Sequence, residues 1–160
     1  KVVKPSYNVY KTVSGNGVKV QFAYGNKMII SANGQEKVMD IGQVSKATIK
    51  NGNLYVELAN GDTRSYSING SSLNLTKTLT GAVQTVTTSG YAYVLKDNGT
   101  VFLYNTVDGI INPSEIAILR GTSPVTEIVS ANGKNVTVEL QSSNGTKSYV
   151  YNGKSAFEVK

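Results

Sequence analysis

Nine Asn-Gly pairs punctuate this chain, beginning at Asn16, Asn33, Asn51, Asn60, Asn69, Asn98, Asn132, Asn144 and Asn152. Both residues tolerate the positive φ that a tight turn demands. Asn-Gly between alternating apolar residues is the strongest short-range hairpin signal. Helices do not sustain such punctuation. The chain is 39% hydrophobic and only 16% charged. It is therefore too apolar for disorder and is expected to be all-β, with many short antiparallel strands. One domain over residues 1–160 is the expectation for this length.

Residues 89–105, SGYAYVLKDNGTVFLYN, give the clearest hairpin. Two aromatic and branched runs flank the turn Asp97-Asn98-Gly99. Tyr91, Tyr93 and Leu95 fall on one face, Ala92 and Val94 on the other. Both faces are apolar, so the hairpin is expected to be covered on both sides.

Weaker copies of this plan recur. The first unit has strands near 7–13, 18–23, 27–31 and 36–41. The second has 44–49, 54–58, 63–68 and 73–79. The third has 83–87, the clear hairpin, and 116–119. The fourth has 125–129, 136–140, 147–151 and 156–159. The inner turns at Asn26, Asn60, Asn98 and Asn144 lie 34, 38 and 46 residues apart. About four strands per roughly 40 residues is the signature of a propeller blade. A glycine ahead of the first strand also recurs, at Gly42, Gly81 and Gly121. Asn112-Pro113-Ser114-Glu115 could start a helix, with Gly121 to end it, but the repeat favours a strand. The fold expectation is about four propeller-like meander repeats, with a β-sandwich or barrel as the alternative. A small four-bladed ring and a piece of a larger ring both fit the repeats.

Ser89-Gly90, the run Tyr93 to Lys96 and the run Asp97 to Val101 resemble a repeat of the RCC1-type and related bacterial β-propellers. The resemblance implies a blade-like meander and, usually, a binding scaffold. The other units lack the Leu-Lys-Asp-Asn-Gly-Thr-Val core, and the histidine often found in such repeats is missing. It transfers no functional residue.

Cysteine and histidine are both absent. That removes disulfides, Cys-based metal sites and every Ser-His or Cys-His pair. Sixteen Lys and Arg against ten Asp and Glu give +6, scattered without a basic run. Lys1, Lys4, Lys11, Lys154 and Lys160 lie near the ends. No apolar run approaches the roughly 18 residues of a membrane span. The chain opens at Lys1 without a leader, which suggests a mature or excised fragment.

Ten carboxylates could serve a glycan hydrolase, yet no spacing selects a pair. Asp97-Asn98-Gly99 lacks the pattern of a calcium loop and is explained by turn chemistry. A Lys–Asn cross-link beside an acid is permitted by composition alone. Tyrosine, a flat ring with a polar tip, suits sugars or peptides, although cross-strand packing uses the same rings. The candidate ligand residues are Arg64, Tyr66, Tyr93, Lys96, Tyr104, Lys147 and Tyr149. Too few basic residues interleave with the tyrosines for nucleic acid. The expectation is a cofactor-free, non-enzymatic module of a bacterial secreted or surface protein, binding carbohydrate or another anionic polymer. The alternative is a structural or protein-interaction part, such as a coat, stalk or accessory domain, using free strand edges.

Overall fold

The computed structural model describes residues 6–119, 124–141 and 145–153, and the backbone of 157–159. Gly121 and Asn144, read above as a pre-strand glycine and a turn residue, lie outside the described residues, as do Lys1, Lys4, Lys154 and Lys160.

Sixteen strands are described, in four antiparallel sheets of four. Sheet 1 holds β1 (Val9–Gly15), β2 (Val18–Ala23), β3 (Lys27–Ala32) and β4 (Gln35–Asp40). Sheet 2 holds β5 (Val44–Lys50), β6 (Asn53–Leu58), β7 (Thr63–Asn69) and β8 (Ser72–Leu79). Sheet 3 holds β9 (Ala82–Thr88), β10 (Tyr91–Lys96), β11 (Val101–Val107) and β12 (Ile110–Ile118). Sheet 4 holds β13 (Val125–Asn132), β14 (Asn135–Leu140), β15 (Thr146–Tyr151) and β16 (Phe157–Val159). Each is a simple meander in chain order, so the fold is propeller-like. Two facing sheets of a sandwich, or one closed barrel, would need strands to pair across these units, and none of the described strands does so.

The turns follow the chemistry that predicts them. Asn16, Asn33 and Asn51 sit at φ of 52°, 53° and 51°, each followed by a glycine at positive φ. That pair of left-handed residues is the type I′ pattern, whose twist matches the strands it joins.

The first strand of every sheet carries a register shift near its start. It falls between Val9 and Lys11, between Val44 and Lys46, beside Gln84, and between Val125 and Glu127. Ser45 Oγ donates to Glu57 O at 3.1 Å, and Thr126 Oγ1 to Glu139 O at 3.2 Å, at corresponding places in sheets 2 and 4. The repeat is therefore kept even in its irregularities.

The strand reading of residues 116–119 holds through Ile118, and β12 begins six residues earlier, at Ile110. Tyr104 faces Glu115 while Thr106 faces Ile111, so Asn112-Pro113-Ser114 bulges out of the ladder. Ser114 N donates to Asn112 Oδ1 at 3.2 Å, the local bond that resembles a helix cap in sequence. Proline is tolerated because β12 is an edge strand and the bulge needs no ladder bond there.

Burial lies between successive sheets. One core joins sheets 1 and 2, around Phe22, Met28, Ile30, Leu54 and Val56. A second joins sheets 3 and 4, around Tyr93, Leu103, Val136 and Val138. The third, between sheets 2 and 3, has only Leu79, Ala92, Val94, Tyr104 and Ile111 as buried members. The hairpin at 89–105 is covered on both sides, because Tyr93 and Leu95 enter the second core and Ala92 and Val94 the third.

Candidate functional site

Neighbouring sheets are joined mainly through their first strands. At sheets 1 and 2, β1 packs on β5, and Val44 N donates to the Tyr10 hydroxyl at 2.8 Å. At sheets 3 and 4, β9 packs on β13. There Gln84 Nε2 donates to Ile128 O at 2.9 Å, while Ile128 N donates to Gln84 Oε1 at 2.8 Å. A side-chain amide thus stands in for a strand partner. Gly133 N donates to Thr88 Oγ1 at 2.8 Å, and Tyr93 OH donates to Gly133 O at 2.7 Å.

Sheets 2 and 3 meet differently. Here β12 lies across β5, β6, β7 and β8 and takes up the contact. The face of sheet 2 that it covers is polar: Thr63 and Ser65 are buried, and the Ser65 and Thr76 hydroxyls bond at 2.7 Å. Thr63 Oγ1 is buried without a hydrogen-bond partner. Among the described residues this junction has the smallest apolar core of the three, set beside buried hydroxyls.

Between β5 and β9 the junction stays open as a cleft of about 450 Å³. Lys46 and Glu57 form one wall, Thr85, Thr87 and Thr88 the other, and buried Ile111 contributes an apolar side. A recess of about 220 Å³ adjoins it at Thr106, reaching Lys50, Tyr55 and Asp108. Another of about 350 Å³ adjoins it at Thr85, reaching Asn60, Asp62 and Gln84. The three form one seam: the cleft and the recess at Asn60 run along β9, and the recess at Lys50 extends from the cleft toward the turn between β11 and β12.

One end of the seam is latched. Thr48 Oγ1 donates to Asp108 Oδ2 at 2.7 Å, and Lys50 Nζ lies 3.6 Å from Asp108 Oδ1. The hydroxyl bond and the lysine charge hold the Asp108 carboxyl below its ordinary pKa. Asp108 also has φ of 50°, so it serves turn and latch together. Glu57 is engaged by Ser45, whose Oγ lies 3.1 Å from Glu57 Oε2. Lys46 is exposed and has no ion-pair partner among the described residues.

The seven residues expected from sequence to bind ligand do not converge. Tyr66 is buried in the first core, Tyr93 and Tyr149 in the second, and Tyr104 in the third. Burial pushes the Tyr93 and Tyr104 hydroxyls up to about 12, with Tyr91 and Glu115 adding to the respective shifts, and raises Tyr149. These four rings pack the sheets together and offer no open platform. Arg64 Nη1 donates to the Tyr66 hydroxyl at 3.2 Å. Lys96 Nζ donates to Thr80 O at 2.6 Å and lies 5.7 Å above the Phe102 ring. Lys147 stands exposed on β15, away from the seam.

The residues lining the main cleft include no tyrosine. A signal for them exists in Gln84-Thr85-Val86-Thr87-Thr88. This strand is polar on the face where its neighbour β10 is apolar, since Thr85 pairs with Val94 and Thr87 with Ala92. Among the described residues, no group of three or more acids could hold a metal ion, and no helix is long and apolar enough to cross a membrane.

No family model matches the chain, and no curated protein matches it in sequence. Solved structures resemble it. Prp20p of Saccharomyces cerevisiae, described with its binding to Gsp1p and histones, is 10% identical, with a TM-score of 0.42 over 93% of this chain and 47% of that one. As yeast RCC1 bound to Kap60, it is again 10% identical, with a TM-score of 0.38 over 94% and 45%. BamB of Moraxella catarrhalis is 12% identical, with a TM-score of 0.41 over 81% and 39%. This chain spans about half, or less, of the length of these structures. These likenesses are of fold alone.

Proposed function

We propose that this chain is a non-enzymatic protein-interaction module whose partner seats in the seam between sheets 2 and 3. The observation that carries this reading is the open cleft between β5 and β9, at the one junction among the described residues where first strands do not pack closely on each other. Its lining mixes hydroxyls, both signs of charge and an apolar side, as interaction sites do. Polysaccharide or polyanion binding draws support from the net charge of +6. The carboxylates of Glu57, Asp62 and Asp108 along the seam oppose it.

Arrays of random peptides, neutral glycans and anionic polysaccharides, probed at low and physiological salt, test the reading. The module is expected to retain a subset of peptides at both salt levels, and Thr87→Trp, which fills the cleft, is expected to abolish that retention. Retention of anionic polysaccharides alone, lost on adding salt, would contradict it.

A further inference from the structure

We infer that the seam's occupant is an extended segment of a partner protein, laid along β9 with an acidic side chain against Lys46; this rests on the interaction reading above. Three observations carry the inference. First, Thr85 and Thr87 project from β9 at the period-two spacing of a strand, about 6.6 Å. A second extended chain alongside presents its own side chains at the same interval, whereas a helix does not. Second, the hydroxyls of Thr85 and Thr87 can donate and accept, so they can serve both the N–H and C=O groups of such a chain, whereas the Thr88 hydroxyl is taken by Gly133 N. Third, the charges are unequal in their commitments. Asp108 is held by Thr48 and Lys50; Glu57 lies near Ser45 Oγ and keeps its charge, and Lys46, which faces Glu57 across the β5–β6 ladder, is exposed with no ion pair among the described residues. The cleft therefore presents one cation free to turn toward an incoming carboxylate, and the complementary partner carries one carboxylate there. A polyanion of regular charge spacing would instead bring further negative groups up to Glu57 and Asp62.

The test uses fluorescein-labelled ten-residue peptides of alternating Val and Thr with one central Glu, and matched peptides with Lys or Gln at that place, read by fluorescence anisotropy. The Glu peptide is expected to bind about threefold more tightly than the Gln peptide, the factor typical of one exposed charge pair. Lys46→Glu should reverse the order so that the Lys peptide binds best. Lys147→Glu, the same charge change away from the seam, should leave the order intact. Thr87→Trp or Thr85→Trp should remove binding of all three. If all three peptides bind equally, and both tryptophan variants abolish binding, the cleft stands and the acidic partner is overturned. If binding survives both tryptophan variants, the cleft itself is overturned. If polyglutamate binds as well as the Glu peptide and Lys147→Glu weakens both, diffuse charge replaces the proposed site.

Discussion

Gly99 carries two constraints at once. It sits at φ of 79°, and a Cβ placed there would run into Pro124 at the start of the next sheet. Its carbonyl accepts from Val125 N at 2.8 Å, so this turn seats sheet 4 on sheet 3. Gly17 has φ of 75° but open space around it. Gly17→Ala should cost about 1 kcal/mol through the backbone alone. Gly99→Ala should cost more, because Pro124 must also move; urea midpoints of the two variants decide the order. The buried tyrosines make a second prediction. Folding holds the Tyr93 and Tyr104 hydroxyls protonated up to about pH 12, while unfolded tyrosine ionises near pH 10. The unfolded state binds fewer protons in that window, so stability present below about pH 10 should fall as pH rises toward 12. Tyr93→Phe should flatten this decline in alkaline urea titrations. These same tyrosines show where sequence stops informing. An alternating aromatic strand looks identical whether its rings meet a ligand or the next sheet, and here all four meet the next sheet.

At the scale of elements, the legible part is the turn chemistry and the illegible part is the sheet order in space. The Asn-Gly pairs and period-two runs locate nearly every strand, because local backbone preference and local patterning agree. β12 is the exception, since Asn112-Pro113 mimics a helix start where a bulge is made. That β12 crosses all of sheet 2 depends on packing between distant segments, so the seam it leaves beside β5 has no local signature. The two flanks of sheet 3 then differ in how they are fastened. Gln84 bonds both backbone groups of Ile128, and Gln84→Leu leaves them unpartnered. Thermal and urea unfolding should show a loss of about 1–3 kcal/mol. On the other flank, Asp108→Gly keeps the turn's conformational freedom and removes the latch to Thr48 and Lys50. A carboxylate with a depressed pKa stabilises the fold above its unfolded pKa and loses that contribution as pH falls through its folded value. Asp108→Gly should therefore be less stable than the parent at pH 7 and approach it below about pH 4.

At the scale of the molecule, two double-sheet halves meet at a softer seam. Among the described residues the outer cores bury thirteen and twelve, the middle one five, beside Thr63 and Ser65. Buried apolar area is the main source of cohesion, so local opening should begin at the middle. A binding cleft benefits from that location, because elements that admit a ligand come from the less stable end of a structure. The chain's lack of cysteine allows a direct measurement. Two closely buried alanines lie in the middle core and in an outer one: Ala92 at the seam, 0% exposed, and Ala117 between sheets 3 and 4, 2% exposed. Single Ala→Cys variants at these two positions can be labelled with a thiol reagent under native conditions. The thiol at position 92 is expected to react about tenfold or more faster than that at 117. Equal rates, or slower labelling at position 92, would contradict a seam that opens first.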